Sequence, residues 1–563
     1  MSRKREKKVK TNRIFIKIIV IAIFLIAIIA ILQIAPNYVR DKETGKINIL
    51  INNNNVTNSM KYDIFLQNGI IYMSTKDIAN FLDENIYYDN NYNQILTGSD
   101  TKMASMPIDK NEMYINSVKQ EIKGKAIQKD ETFYLPVSEM NNIYNIEIEY
   151  IEDTNRVIID SISREKKMAN SAGNYDVKSL PTSFSKTVAK IKKGENVTIV
   201  KDEENETDWI KIRTKDGIIG YVKKVANTYS VRENMEKQKQ IDGTISMFWD
   251  YYSEYADAPE RTEKISGVNV VSPAFAHLSD EEEGDIELNI GKSGKEYIKW
   301  AHDNEYRVWA MVSNNISSSK IKDITSKILR DYKLREKLIN NIVNMTLEYD
   351  LDGINIDFEN IYKDDKDYLS RFIIELAPRL HEYGKVLSVD VTAPDGGDDW
   401  SLCYDRHLIG KVADYLVFMA YDQYGQTSDE AGTTAGADWV EVNLKKFVGT
   451  QEDVDADRII LGMPFYARQW KEKNGDITSS VVSMKYIDEV VPETAQRTWL
   501  EDKKQYYVEY EKDESKCKMW IEDEESLKAK FELMKKYNLA GAAYWAKDME
   551  KDNTWDMIAE QIK

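Results

Sequence analysis

Apolar and polar residues alternate strictly along DGINIDFEN, residues 352–360. This two-residue period is typical of a β-strand whose two faces meet different environments. The apolar face carries Ile354, Ile356 and Phe358. The opposite face, here called the polar ladder, carries Asn355, Asp357 and Glu359. On a surface strand these acidic side chains would simply face water, whereas in a closed site they would be available for chemistry.

The surrounding chain alternates between strand-like and helix-like patterns from about residue 240 to the C-terminus. Eight apolar strand-like runs occupy residues 243–249, 268–278, 306–314, 352–359, 385–394, 414–422, 458–468 and 540–548. Amphipathic helical patterns such as 327–350 and 367–384 lie between them. Eight strand–helix units predict an α/β fold, a (β/α)₈ TIM barrel slightly enlarged by insertions, over residues 240–563.

Polar and aromatic residues collect at the ends of these predicted strands, which is where barrel enzymes place their reactive groups. They are Asp357, Glu359, Asp390, Thr392, Tyr421, Asp422, Tyr466, Arg468 and Trp545. In the barrel the polar ladder points inward, with Glu359 nearest the mouth. Because burial disfavours the charged form of a carboxyl, Glu359 is a candidate general acid. Asp357, two residues deeper, is placed to hydrogen-bond Glu359 or a substrate amide.

The N-terminus has a different composition. Residues 1–13 are rich in Lys and Arg, and residues 14–35 form an apolar run long enough to span a bilayer as a helix. The basic flank predicts a cytoplasmic tail, a single-pass anchor in the cell membrane, and export of everything that follows. A cleaved signal peptide is the alternative, and it would also export the rest of the chain.

Charge and chemistry exclude several classes of function. The formal charge of −18 over 563 residues argues against nucleic acid as a partner. The four histidines, at positions 277, 302, 381 and 407, have no metal-ligand spacing, so we predict no metal and no cofactor. Cys403 and Cys517 could pair, although two free, packed thiols are the favoured prediction because a chain this long can fold without disulfides.

An internal repeat precedes the barrel. Residues 69–97 match residues 131–160 at a constant offset of 62, with Tyr72 aligned to Tyr134. Each copy predicts a strand, a short helix and two strands joined by an Asn/Asp turn. The pattern resembles the N-terminal-type domain of copper amine oxidases, without a copper site, and predicts a small duplicated α+β domain over residues 46–165. We interpret it as a spacer or a protein-binding module.

Residues 180–232 are rich in short strands and turns, which predicts a small β-barrel. The residues that carry its pattern are Trp209, Lys211, Gly217, Gly220, Tyr221 and Val222. Together they resemble a bacterial SH3-type domain. The resemblance implies contact with the bacterial cell wall, since such domains often bind wall peptides; a structural spacer is the alternative.

Four motifs of the barrel resemble family 18 glycoside hydrolases, the chitinase-like (β/α)₈ enzymes. DGINIDFE resembles their DGxDxDxE signature, and residues 418–422, FMAYD, resemble their strand-six M-x-Y-D motif. Residues 461–470, LGMPFYARQW, are similar to the strand-seven G-x-P-F-Y-G-R-x-W pattern, and residues 542–548, AAYWAKD, to the strand-eight segment. The motifs occur in the family's order and cover residues 240–563.

The resemblance implies a hydrolase acting on N-acetylglucosaminyl bonds through a substrate-assisted mechanism. Glu359 would be the acid/base, Asp357 would hold the N–H of the substrate's 2-acetamido group, and Tyr421 would hydrogen-bond its carbonyl oxygen. Further substrate contacts are implied for Asn355, Met419, Asp422, Tyr466, Arg468, Trp470 and Trp545, the last as an apolar floor beneath the sugar.

One position departs from the signature, because Asn355 stands where the family has its middle Asp. An asparagine can donate a hydrogen bond to Asp357 but cannot take its proton, so we expect Asp357 to ionise more readily. DGINIDFEN also resembles the spore-germination and cortex-lytic branch of the family, which favours peptidoglycan over chitin as the substrate. The alternative function is a catalytically silent lectin that binds glycan or cell wall; such relatives usually lose the acid that Glu359 retains.

Overall fold

The computed structural model describes residues 45–201, 208–223, 229–232, 241–253, 256–394, 396–448 and 454–562. The predicted cytoplasmic tail (1–13) and membrane span (14–35) therefore lie outside the described residues. Across the described ranges, no helix combines the length and the apolar character that crossing a bilayer requires.

The first unit is the duplicated α+β module. Its two four-stranded sheets and one five-stranded sheet contain the strands Asn48–Ile51, Asn54–Asn55, Phe65–Gln67, Ile70–Ser74, Tyr87–Asp89, Gln94–Ser99, Lys102–Pro107, Glu112–Ile115, Val118–Glu121, Ile127–Lys129, Thr132–Leu135, Ile146–Ile151 and Arg156–Ser161. Its helices are Thr75–Phe81 and Asn141–Tyr144. Each helix follows the strand that holds the matched tyrosine of its repeat, Tyr72 or Tyr134, and these two strands pair antiparallel. Both copies contain a strand, a helix and two further strands, although the helix of the second copy has only four residues.

The second unit is a seven-stranded β domain. In sheet order its strands are Thr187–Ile191, Tyr175–Lys178, Ile219–Lys223, Trp209–Arg213, Asn196–Lys201, Lys166–Asn170 and Tyr229–Arg232. Two of these strands precede residue 180, where the sequence placed the start of the domain. The strand at residues 166–170 is short and mostly polar, so its hydrophobic pattern is weak, yet it fills the sheet between two other strands.

The third unit is the barrel. Its strands are β1 (Ile245–Asp250), β2 (Val270–Pro273), β3 (Arg307–Ser313), β4 (Gly353–Asp357), β5 (Val386–Val391), β6 (Tyr415–Met419), β7 (Ile459–Pro464) and β8 (Gly541–Trp545). Neighbouring strands pair parallel, and β1 pairs with both β2 and β8, which closes the barrel. Each of the eight predicted runs matches one barrel strand, although the runs 268–278 and 458–468 each also include residues of a second strand. Position 353, where β4 begins, requires a glycine, because a Cβ there would lie 2.7 Å from the carbonyl oxygen of Val386.

In the described part of the barrel, eight helices surround these strands. They are α1 (Gly294–Asp303), α2 (Ile321–Arg330), α3 (Tyr332–Glu348), α4 (Lys366–His381), α5 (Arg406–Val412), α6 (Ala437–Val448), α7 (Glu524–Lys536) and α8 (Thr554–Gln561). The single helical pattern predicted over 327–350 is divided at Asp331. The carboxylate of Asp331 accepts hydrogen bonds from the backbone N–H groups of Lys333 and Leu334 and so caps a new helix, α3.

The alternation along β4 separates two cores. Ile354, Ile356 and Phe358 belong to the large core between the strands and the surrounding helices. The barrel interior is filled instead by side chains such as Trp249, Trp309, Met311, Val417 and Ile460. The polar ladder therefore faces the interior of the barrel, and its last members lie at the carboxyl end of the strands.

A five-stranded antiparallel sheet is inserted between β7 and β8. Its strands are Tyr466–Lys473, Asp476–Ser483, Arg497–Leu500, Gln505–Lys512 and Ser515–Ile521, and it includes the short helix Ile487–Val490. The run 458–468 was predicted as one strand, but β7 ends at Pro464 and Tyr466 already belongs to the inserted sheet. A small hairpin, Ala276–Leu278 with Ile286–Leu288, follows β2. Cys403 and Cys517 are buried free thiols, as predicted.

The duplicated module packs against α3 and α4 of the barrel. The hydroxyl of Tyr92 donates to the carboxylate of Asp331 at 2.9 Å. The Arg371 guanidinium donates to the carbonyl oxygen of Asn85 at 2.9 Å and lies 4.6 Å from the centre of the Tyr87 ring. Polar contacts of this kind hold the module on the outside of the barrel.

Candidate active site

Glu359 follows β4 directly, at the mouth of the barrel. Its backbone N–H donates to Asn314 Oδ1 at 3.0 Å, and Asn314 Nδ2 donates to its carbonyl oxygen at 2.9 Å. The preceding residue, Phe358, is buried and stacks on Phe372 of α4 with ring centres 5.5 Å apart. The end of the neighbouring strand and the helix beneath therefore fix the position from which the Glu359 side chain projects.

The two carboxyl groups of the ladder share one poorly solvated environment. Burial raises the pKa of Asp357, which is 8% exposed, to about 7. Burial and the nearby carboxyls of Asp357 and Asp422 raise the pKa of Glu359 well above its ordinary value. The raised pKa favours the protonated form of Glu359, which is the form that a general acid needs.

Asn355 lies beneath this pair and is fully buried. Its Oδ1 accepts a hydrogen bond from the Trp249 indole at 2.8 Å, and its Nδ2 donates to Asp390 at 2.7 Å and to Ser388 at 3.1 Å. The expected hydrogen bond to Asp357 is replaced by the one to Asp390. Burial raises the pKa of Asp357 above that of a free aspartate, whereas the expectation that Asn355 makes it ionise more readily than an aspartate at 355 would stays a prediction. Asn355 is a supporting residue below the site and does not line the cavity.

A cavity of about 590 Å³ opens beside Glu359. Met419, the last residue of β6, and Tyr421 line it. Among the residues that the structure describes, the Tyr421 hydroxyl and Asp357 Oδ1 are buried without a hydrogen-bond partner. A buried polar atom without a partner is costly in a folded protein, so these two atoms are suited to a polar ligand.

Asp422 stands at the rim, where three predicted residues meet. Its Oδ1 accepts a hydrogen bond from the Tyr466 hydroxyl at 2.9 Å and one from Arg468 Nη2 at 3.2 Å. Tyr466 and Arg468 both come from the first strand of the inserted sheet, and both are buried. Hydrogen bonds from the inserted sheet therefore hold Asp422, just after β6, at the edge of the cavity.

Trp545 ends β8 and is half-buried. Its ring lies 5.7 Å from the centre of the buried Trp249 ring and 5.5 Å from the Tyr251 ring, which is 56% exposed. The aromatic cluster thus runs from the barrel interior to the surface. Such a cluster offers an apolar face to the ring of a sugar.

Comparison with known families agrees with this geometry. The model for glycosyl hydrolases family 18 matches residues 244–550, more than half of the chain. The chain belongs to family 18 of the glycosyl hydrolases. Residues 50–159 match the copper amine oxidase N-terminal domain, and residues 174–227 match the bacterial SH3 domain. The three resemblances inferred from the sequence are confirmed, and the chain is a glycoside hydrolase by family.

Relatives of this family 18 chain come from several bacteria. The uncharacterized glycosylase YvbX of Bacillus subtilis is 26% identical over 281 residues, which are 49% of this chain and 80% of that protein. The cortical fragment-lytic enzyme of the same species is 24% identical and matches 45% of this chain and 59% of its own length. Among solved structures, a chitinase from Chromobacterium violaceum is similar with 25% identity and a TM-score of 0.49, covering 57% of this chain and 99% of that chain.

The residues around the cavity differ in part from those predicted for the family 18 site. Trp400, Gln423 and Trp439 line the cavity but were not predicted, because they lie in loops or on α6 and not at strand ends. A tryptophan in the polar loop after β5 is the signal that would have identified Trp400. Trp470 is removed from the cleft, since it is fully buried and its indole donates to the carbonyl oxygen of Gly432.

Proposed function

We propose that the chain is a membrane-anchored, extracytoplasmic glycosidase that cleaves N-acetylglucosaminyl bonds, with peptidoglycan favoured over chitin as the substrate. The observation that supports it best is the arrangement around the cavity. Glu359, whose pKa is raised, lies at the mouth, while Asp357 Oδ1 and the Tyr421 hydroxyl are buried without partners in the described part of the chain. An acetamido group would satisfy both, since its N–H donates to Asp357 and its carbonyl oxygen accepts from Tyr421.

The proposed reaction is substrate-assisted. Glu359 gives its proton to the glycosidic oxygen as the bond from that oxygen to the anomeric carbon breaks. The acetamido carbonyl oxygen attacks the anomeric carbon and forms a cyclic oxazolinium intermediate, whose positive charge Asp357 stabilises as a carboxylate. Water then adds to the anomeric carbon, the ring opens, and Glu359 regains the proton. Retention at the anomeric carbon follows from the two displacements.

Several roles at the rim belong to the same proposal. Asp422 would contact a sugar hydroxyl, held in place by Tyr466 and Arg468. Trp545 would lie beneath the sugar ring at the cleavage point, since its half-buried ring extends the aromatic cluster to the surface. Met419 contributes apolar surface to the cavity wall.

Two further observations favour peptidoglycan. One of the relatives is named a cortical fragment-lytic enzyme, and another is a putative sporulation-specific glycosylase of Bacillus subtilis. The SH3 domain would hold the enzyme on the wall, and the apolar run at residues 14–35 would hold it in the cell membrane. The catalytic barrel would then act on wall that lies next to the membrane.

Release of reducing ends tests the catalytic proposal. Purified peptidoglycan and chitin oligosaccharides are incubated with the full chain, with Glu359→Gln, and with Glu348→Gln as a matched control on the exposed end of α3. We expect the wild type and Glu348→Gln to release reducing ends and Glu359→Gln to release none. Binding of glycan by all three without any cleavage would support the lectin alternative and contradict the enzyme.

Mass spectrometry of products from intact sacculi tests the substrate. Reducing ends of the N-acetylglucosamine type are expected if peptidoglycan is cleaved. If chitin oligosaccharides were cleaved while the sacculi stayed uncleaved, chitin would be favoured over peptidoglycan as the substrate. The anchor is tested separately by fractionation, in which removal of residues 1–35 should move the protein from the membrane fraction to the medium or the wall.

A further inference from the structure

Asp390 is a buried carboxyl that the proposed reaction does not use. It lies on β5, is 1% exposed, and accepts a hydrogen bond of 2.7 Å from Asn355 Nδ2. Within the described residues, it forms no ion pair with a lysine, arginine or histidine. A buried carboxyl without a counter-ion needs an explanation, because burying an unpaired charge is expensive.

The orientation of the Asn355 amide is fixed by its neighbours. The Trp249 indole can only donate, so the oxygen of Asn355 must face it, at 2.8 Å. Ser272 also donates to this oxygen, at 3.3 Å. The amide nitrogen then points to β5, where Ser388 and Asp390 accept its two hydrogens. Asn355 has no hydrogen left for Asp357, and Asp390 supplies one of the two acceptors that hold the amide.

The charges around Asp390 limit its protonation state. The titratable groups that face it are Asp357 and Glu359 of the ladder and Tyr421 at the end of β6. Burial and the two nearby carboxyls raise the pKa of Asp390 well above its ordinary value, and the hydrogen bond from Asn355 only partly opposes this. Buried carboxyls that lie close together resist carrying more than one negative charge.

We propose that Asp390 is a positioning residue for the polar ladder: it holds the Asn355 amide beneath Asp357 as a neutral, protonated carboxyl, so that the single negative charge of the cluster falls on Asp357. The inference rests on the proposed function, which requires a proton on Glu359 and a charge on Asp357. It assigns the third proton-binding group to β5, which lies between β4 and β6 and pairs with both.

Two substitutions at position 390 distinguish a neutral Asp390 from an ionised one. Asp390→Asn is neutral and keeps an oxygen to accept from Asn355, so kcat should stay within about threefold of wild type and the pH profile should not move. Asp390→Leu removes the acceptor and leaves a buried N–H unsatisfied, so kcat should fall on the order of tenfold with little change in KM. If Asp390 were an anion, Asp390→Asn would lower the pKa of Glu359 and move the alkaline limb to lower pH, which would overturn the proposal.

A substitution at position 355 tests the same pair from the other side. Asn355→Asp places two carboxyls in contact, which should lower kcat and shift the pH profile, because the two must share a proton. The double variant Asn355→Asp/Asp390→Asn exchanges the two groups and should recover most of the lost activity. Equal activity of the double variant and Asn355→Asp would contradict the pairing.

A measurement without substrate keeps this inference separate from the proposed function. Infrared spectra of the full chain near neutral pH should contain the carbonyl band of a protonated, buried carboxyl that is lost in Asp390→Asn and retained in Asp357→Asn. If the wild type cleaves no glycan but the band is present, the proposed function fails while the neutral Asp390 stands. Absence of that difference between wild type and Asp390→Asn would overturn the inference whatever the activity.

Discussion

Replacing Tyr421 with phenylalanine should separate activity from stability. Without a partner in the described structure, the Tyr421 hydroxyl loses its contact with water on folding and gains no hydrogen bond in return. Its removal should therefore leave the free energy of unfolding unchanged or raise it slightly. If the hydroxyl donates to the acetamido oxygen as charge develops, its loss should cost about 1.5–3 kcal/mol of transition-state stabilisation, or roughly 10-fold to 150-fold in kcat/KM.

Tyr306→Phe is the matched control for this prediction. Tyr306 is 2% exposed, and its hydroxyl donates to the carbonyl oxygen of Ile265 at 2.9 Å and accepts from the N–H of Ile265 at 2.7 Å. It precedes β3, at the opposite end of the barrel from the site. Its loss should cost about 1–3 kcal/mol of stability and leave kcat/KM unchanged.

The two variants are compared by urea unfolding and by hydrolysis of a chromogenic N-acetylglucosaminyl substrate. The urea midpoint of Tyr421→Phe should equal or exceed that of the wild type, and the urea midpoint of Tyr306→Phe should be lower. A Tyr421→Phe variant as destabilised as the control would mean that the hydroxyl has a partner in the free enzyme. Wild-type kcat/KM in Tyr421→Phe would remove the hydroxyl from the mechanism.

Three further predictions concern stability. Burial raises the pKa of Asp357 to about 7, so the folded chain keeps a proton that the unfolded chain releases near pH 4. The stability that this proton contributes to the folded state is fully present below about pH 4 and is lost as the pH rises through 7. Calorimetry should therefore show Asp357→Asn melting above wild type at about pH 8, with little difference at about pH 4. Arg335→Met leaves Glu375 as a buried unpaired carboxylate, previously 3.0 Å from the guanidinium, and should cost about 3–5 kcal/mol by denaturant unfolding, mostly recovered by adding Glu375→Leu. Tyr92→Phe removes a hydrogen bond to Asp331 and should weaken the contact between the module and the barrel by about 1 kcal/mol. Limited proteolysis between the two units should then be faster than in the wild type. An unchanged rate would mean that this contact does not hold the module.

The barrel and the place of its candidate site residues could be predicted because one physical rule produces both. Parallel strands buried on both faces appear as apolar runs, and their carboxyl ends meet at one edge of the barrel. Glu359 after β4 and Tyr421 after β6 are far apart in sequence, yet the order of the strands alone brings them to one mouth. The alternation of DGINIDFEN then assigned each residue of β4 to the helix side or the interior.

Features that depend on particular tertiary contacts could not be predicted in this way. In the sequence, Asp331 is one more polar residue within a helical pattern. In the structure its side chain caps the start of α3 and so separates α2 from α3. Tyr466 continues the apolar run of β7, although the backbone leaves the barrel at Pro464. The acceptor for Asn355 lies on another strand, so sequence spacing along β4 wrongly suggested Asp357 as its partner.

Asp331 also limits how this protein could exchange parts with its relatives. One carboxylate both begins a barrel helix and receives the Tyr92 hydroxyl of the duplicated module. Recombination that replaced the barrel with one lacking an acidic residue at that helix start would lose the anchoring contact and a helix cap together. A substitution at Asp331 would therefore disturb the start of α3 and the contact between the module and the barrel at the same time.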